Sequence, residues 1–417
     1  MNNYYSPPEI YYARWITSSL QAASQEHPIV VLTGARQVGK STLLLNTSPF
    51  NNWRFHSLDD YDILRQAHQG PEALWAGASQ VVLDEIQKAP ELLPAIKQAV
   101  DRHPGQYRFV LSGSANLLVM KQVSESLAGR AVYFVLDPMT RGETLGAPQP
   151  GLLNHLLSSA WPEESQLPEE PPDPTSLILR GLMPSLLTLT AASSWVRWWD
   201  GYVSTYLERD LRQIAQIEAL LDFRRLMEFT ALRSGQLMNQ SEVARDAQLT
   251  QPTVHRYLNL LETTHMFERL PAFTASRTTR LLKSPKLFWN DTGLAVFLSG
   301  YYQEDDLRKA LEYGAYFETL IYHHLRALTR LMTPPGRLYF WRTQSGTKVD
   351  FVLEHGRKIL AIEVKRTNRP GYSDAAGLRT FLTEYPHASG GLLIHSVLEI
   401  RRLDQNILAV PWTMITG

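Results

Sequence analysis

Through the first 145 residues, short apolar runs alternate with stretches of helical spacing. The apolar runs fall at 29–33, 53–58, 80–84, 107–111 and 131–136, and helical patterns cover 8–23, 61–69, 90–103 and 116–127. That alternation predicts parallel strands joined by helices. From 146 to 174 the pattern lapses into proline and acids, including Pro148, Pro162, Pro171, Pro172, Glu163, Glu164 and Asp173. Such composition does not build a core, so a linker or an elaborated loop is expected, with one helical turn at 152–157.

Helical patterning returns at 195–215, where Trp198, Tyr202, Tyr206 and Leu207 are spaced along one face and are expected to be core. Residues 241–258 have helix–turn–helix spacing. Ser241 and Thr250 are placed to cap successive helices, Pro252 fits a first turn, and a wing follows at 266–273. The last block reads as a helix at 314–328, then strands at 338–342, 349–353 and 359–365.

These blocks give an α/β chain with the following expected domains: a parallel-sheet domain at 1–145 and a Pro/acid-rich linker or insertion at 146–175. A helical lid-like domain follows at 176–230, a winged helix–turn–helix domain at 231–300, and a further α/β domain at 301–417. The chain has 417 residues, enough for several cores. With no cysteine, disulfide frameworks, thiolate zinc sites and cysteine nucleophiles are excluded. Formal net charge is zero, so any nucleic-acid contact must come from a local patch. The start lacks a basic-then-apolar signal layout and no 18-residue apolar run occurs, which predicts a cytoplasmic protein with no membrane partner.

The chemistry begins with Gly34, Ala35, Arg36, Gln37, Val38, Gly39, Lys40, Ser41 and Thr42, set between an apolar strand and Leu43-Leu44-Leu45. A glycine-rich loop between strand and helix turns its amides toward phosphate. Lys40 would reach the β- and γ-phosphates of ATP, and Ser41 would ligate Mg²⁺. About 45 residues on, Val81-Val82-Leu83 ends in Asp84-Glu85. Asp84 would hold the water shell of Mg²⁺, and Glu85 would activate the attacking water.

Ser112 and Ser114 follow the fourth strand as candidates for contacting the γ-phosphate or that water; an ordinary turn is the alternative. Arg130 precedes the fifth strand. It reads either as a finger entering a neighbouring subunit's nucleotide site, which would make the chain a homo-oligomer, or as a cation capping a helix C-terminus. On the helix–turn–helix, His255 and Arg256 face outward, with Arg277, Arg280, Lys283 and Lys286 downstream. DNA backbone contact and a purely packing or protein-contact role both fit.

In the last block, a hairpin turning at His355-Gly356 would pair Asp350 with Ala361. Asp350 and Glu363 would then be diagonal neighbours about 7–8 Å apart. With Glu318 on the preceding helix and Lys365 beside them, these acids could bind one metal ion as a nuclease set; a solvated ion pair would look the same in sequence.

The layout resembles the prokaryotic AAA-superfamily ATPases fused to a C-terminal domain of unknown function. The residues that carry the likeness are GARQVGKST (34–42), VVLDEIQ (81–87), LSGSANLL (111–118), SLAGR (126–130) and YLERD (206–210). Further along come SPKLFWNDTGLA (284–295), KVDFVLE (348–354) and IEVK (362–365). The resemblance implies a P-loop ATPase domain of the AAA type at 1–145 and a restriction-endonuclease-like α/β domain at 301–417, and it supports Arg130 as a finger. Two functions are therefore expected: an Mg²⁺-dependent ATPase coupled to a nuclease-like module acting on DNA, or a nucleotide switch whose later domains only bind partners.

Overall fold

In the computed structural model, the described residues are 11–114, 127–167, 169–205, 219–274, 276 and 284–417. They form two compact units. The first is Met1–Met139 with Thr263–Met266, and the second is Thr140–Glu262 with Phe267–Gly417.

The first unit is built on five strands: β1 (Ile29–Thr33), β2 (Arg54–Ser57), β3 (Gln80–Asp84), β4 (Arg108–Ser112) and β5 (Ala131–Val135). All pairs are parallel and the order is β2-β3-β4-β1-β5. The central strands are almost wholly buried, which is why they read as unbroken apolar runs. Leu32 pairs with Ser112 and Leu83 with Leu111. The carboxyl ends of β1, β3 and β4 are therefore level, and Asp84 arrives beside Ser112 at the edge where parallel sheets bind ligands. The helices are α1 (Thr17–Glu26), α2 (Lys40–Asn46), α3 (Tyr61–Gln69) and α4 (Leu92–Arg102). Of the leading helix expected at 8–23, residues 8–10 lie outside the described residues, and among the described ones the helix runs Thr17–Glu26. The helix expected at 116–127 falls almost entirely outside the described residues.

In the second unit, three helices, Leu220–Ala231, Gln240–Ala247 and Gln251–Thr263, accompany a small antiparallel sheet. Its strands are β7 (Gln236–Leu237), β8 (Phe267–Leu270) and β9 (Lys286–Trp289), in the order β7-β9-β8. Val243, Ala244, Val254, Leu258 and Leu261 are buried, whereas Leu249, at a position spaced for the same core, is half-buried. Ser241 is not a cap: Asn239 accepts from the Ser241 amide, because the helix begins one residue before Ser241. The aromatic face of helix Ala192–Thr205 also differs. Trp195, Trp199 and Tyr202 are buried, and the half-buried Trp198 stacks on Tyr202 at 5.3 Å. Tyr206 and Leu207 lie outside the described residues.

The large sheet has the order β10-β11-β12-β13-β15-β14-β6. Its strands are β10 (Arg337–Arg342), β11 (Lys348–His355), β12 (Lys358–Val364), β13 (Gly390–His395), β14 (Glu399–Asp404) and β15 (Ile407–Pro411), with β6 (Ser165–Gln166). In the Pro/acid segment, Ser165 and Gln166 pair with β14, and Leu152, Leu153, Leu156 and Leu157 are buried. A strand that short needs only backbone groups, so composition did not reveal it. Helix Tyr313–Arg330 is buried along most of its length.

Candidate functional site

Gly34 can be nothing larger: its φ is 147°, and a Cβ there would meet the Leu136 carbonyl oxygen at 2.3 Å. Gly39 and Gln37 also have positive φ, at 93° and 61°. From below, the buried Arg14 holds the loop, donating to Val38 O at 2.9 Å and to Asp137 O at 2.6 Å. Arg14 was missed in the sequence because nothing local marks it; its partners lie 24 and 123 residues away. Lys40 Nζ donates to Gly34 O and Ala35 O at 3.1 and 2.9 Å. Burial pulls its ammonium down to about 8, against the opposing pull of Glu85 and Asp84.

Asp84 is fully buried and accepts from two hydroxyls. Ser41 Oγ donates to Oδ2 at 2.6 Å, and Ser112 Oγ donates to Oδ1. Loop, acid and fourth strand thus meet at one carboxylate. Glu85 follows in a left-handed conformation, φ 57°. Burial, then the neighbouring Asp84 charge, raise its carboxyl above the ordinary range. Gln87 Nε2 donates both to Glu85 Oε2 and to Ser114 Oγ, the latter at 3.0 Å. Ser112 thus bonds Asp84 directly, whereas Ser114 reaches Glu85 only through Gln87, a participant the sequence reading passed over. No cation is needed to test the fit for Mg²⁺: a hydroxyl and a carboxylate already in contact are the hard oxygen donors that ion takes.

Arg130 forms a two-point pair with Asp101 of α4, Nε to Oδ1 at 2.6 Å and Nη2 to Oδ2 at 2.9 Å, and it also donates to Ala128 O. His255 and Arg256 are exposed on helix Gln251–Thr263. Arg277, Arg280 and Lys283 lie outside the described residues. Lys286, expected beside them, is instead buried.

In the C-terminal hairpin, Phe351 pairs with Ile362 and His355 with Lys358. The turn is Gly356-Arg357, two residues of register away from the expected pairing. Continuing the ladder sets Asp350 directly opposite Glu363 instead of diagonal to it. The alternation survives, since a shift of two keeps every side chain on its face. Lys286 Nζ lies 2.7 Å from Glu318 Oε1 and 3.6 Å from Asp350 Oδ1. Lys348 Nζ is 3.0 Å from Asp350 Oδ1, and Lys365 Nζ is 2.7 Å from Glu363 Oε1. The Val364 amide donates to Asp350 Oδ2 at 3.0 Å.

Burial and the Asp350 charge push the Glu318 and Glu363 carboxyls up. Burial opposes charge on Asp350 too, yet Lys286 and Lys348 hold its carboxyl below the ordinary value. Among the described residues, no three His, Asp or Glu side chains are grouped to hold a metal ion. Each member of the expected set of Glu318, Asp350 and Glu363 has a lysine ammonium against it.

A parallel sheet ending in a phosphate loop and a buried aspartate defines a P-loop ATPase. Residues 26–145 match the family model described as "AAA domain". Residues 173–305 and 313–415 match two domains of unknown function, DUF8612 and DUF4143. Uncharacterised proteins of Mycobacterium tuberculosis and Mycobacterium bovis are each 32% identical over 357 residues, covering 85% of this chain and 74% of theirs. The chain belongs to the same family as these mycobacterial proteins. Among solved structures, a Walker-type ATPase of Pyrococcus abyssi is similar at 15% identity and a TM-score of 0.44, covering 69% of this chain and 96% of that one. A signal transduction ATPase with a tetratricopeptide repeat sensor from Pyrococcus horikoshii is similar at 9% identity and a TM-score of 0.23, covering 77% and 46%. No helix among the described residues is long and apolar enough to cross a membrane.

Proposed function

We propose that the chain is an Mg²⁺-dependent ATPase whose second unit is a binding module under nucleotide control. The observation that carries the ATPase reading is the Ser41–Asp84–Ser112 contact, because it joins loop, acid and fourth strand where Mg·ATP would sit. Lys40 would move from the loop carbonyls to the phosphates, Ser41 and Asp84 would hold the cation and its waters, and Glu85 would take the proton of the attacking water.

For the second unit we infer a winged helix followed by a restriction-endonuclease-like domain. Three helices with a β7-β9-β8 sheet support the first, and the β10–β13 strands with helix Tyr313–Arg330 support the second. Exposed His255 and Arg256 favour DNA as the bound partner. Lys286 and Lys348 on Glu318 and Asp350 favour binding over cleavage, which sets the switch reading above the nuclease reading. Assembly through Arg130 belongs to the same proposal, and it requires the Asp101 pair to open. The test is ATP hydrolysis with and without duplex DNA, beside a Mn²⁺ or Mg²⁺ cleavage assay. DNA-stimulated hydrolysis without cleavage is expected; cation-dependent cleavage would restore the nuclease, and absence of hydrolysis under both conditions would remove the ATPase.

A further inference from the structure

We infer that Lys286 is the built-in counter-cation of the C-terminal acidic site, standing where a divalent ion would otherwise be shared by Glu318 and Asp350. The inference deepens the binding-module reading of that site and rests on it. Three elements converge here: β9 brings Lys286, helix Tyr313–Arg330 brings Glu318, and β11 brings Asp350. The ammonium is 2.7 Å from one carboxylate and 3.6 Å from the other, and all three side chains are about nine-tenths buried or more. Charges so removed from water persist only when paired. A lysine anchored by its own strand is permanent, whereas a bound ion exchanges, so the site keeps its shape at any cation concentration. A divalent ion would have to enter beside a fixed positive charge at close range, which the same Coulomb term opposes. Lys348 on Asp350 and Lys365 on Glu363 complete a set of three acids and three ammonium groups.

The experiment uses the full chain carrying Asp84→Asn, which removes the carboxylate of the other candidate cation site, without nucleotide. Mn²⁺ binding is followed by electron paramagnetic resonance and melting by calorimetry. The parent should bind no Mn²⁺ at this site and show no cation-dependent rise in Tm. Adding Lys286→Met should create one Mn²⁺ site per chain and a Tm that rises with Mn²⁺, and Asp350→Asn should abolish both. Should Lys286→Met not fold without cation, Lys286→Met/Glu318→Gln should melt higher than Lys286→Met, since it removes the stranded charge. Mn²⁺ bound by the parent and lost with Asp350→Asn would overturn the inference and revive the metal site. Failure of the double variant to recover stability, or of a folded Lys286→Met to gain a cation site, would overturn it without touching the ATPase or DNA-binding readings.

Discussion

The Ser41 hydroxyl donates to Asp84 Oδ2 at 2.6 Å, across 43 residues of sequence. The two groups proposed to share one hydrated cation are thus in register. Lys40→Ala should abolish ATP binding, because the ammonium meets the phosphates in ground and transition states alike. Glu85→Gln should retain binding while turnover falls by about 10²–10⁴, the range for loss of a general base. Equilibrium binding of a fluorescent ATP analogue and steady-state phosphate release separate the two. Normal turnover by Glu85→Gln would take Glu85 out of the chemistry.

Gln87 makes a sharper claim about pH. Burial first, then Asp84, raise the Glu85 carboxyl, and the Gln87 amide counters them by donating to its charged form. A base works only when deprotonated, so the rate at saturating ATP should fall on the acid side at a pH above the ordinary carboxylate range. Gln87→Leu should move that limb to still higher pH. An unchanged or lower limb would show that the amide does not tune the base.

The phosphate loop was legible because its chemistry is local: a strand, two glycines and a lysine within one short stretch. The strand order was not, since parallel pairing leaves no trace in neighbouring residues. In the C-terminal hairpin, parity was readable from alternation, but register depended on which residues turn. Gly356, with φ 63°, occupies the first central position of that turn, and glycine's freedom there set the pairing that put Asp350 opposite Glu363. Lys286 was read as a surface charge because strand β9 gives no sign that its lysine points inward. Its one local signal was a lone lysine opening the apolar run Leu287-Phe288-Trp289.

Arg130 separates two accounts of assembly. As a finger, Arg130→Ala should lower turnover by about 10³–10⁵ with little loss of nucleotide affinity. Mixing it with Lys40→Ala should restore some activity, because one mixed interface would carry both an intact loop and an intact arginine. As a surface partner of Asp101 only, its removal should leave turnover unchanged. Absence of rescue in subunits shown to exchange would leave only the intrachain pair.

Asp291 caps helix Thr292–Leu298 by accepting from Gly293 and Leu294, and it also accepts from the Leu182 amide at 2.9 Å. Burial lifts its carboxyl from 3.8 to about 6, against those amides and Arg180. A carboxyl raised in the fold binds its proton more tightly there than in the unfolded chain. Its stabilising contribution is therefore complete below the unfolded value and is lost as pH rises through the folded one. Asp291→Asn keeps an oxygen acceptor but cannot titrate. The Tm of Asp291→Asn relative to the parent should accordingly fall as pH is lowered from 7 to about 4.5. The opposite trend would mean the carboxyl is not raised.

The final prediction concerns the proline-rich segment. Gly390 opens β13 with φ 147°, and a Cβ there would lie 2.3 Å from the Trp161 ring and 2.8 Å from Asn406 O. Gly390→Ala should therefore destabilise the chain by roughly 1–3 kcal/mol, as overpacking does, with backbone strain added. If the segment were a free linker, Trp161 would swing aside and the cost would be the same with or without it. If it is packed onto the sheet through β6, Trp161→Ala should remove the ring clash and leave only the strain and the Asn406 contact. The double variant would then be more stable than the sum of the single effects predicts, by more than the ~0.5 kcal/mol within which independent sites add. Urea unfolding of the four proteins measures this directly. Simple additivity would return the segment to the status of a linker.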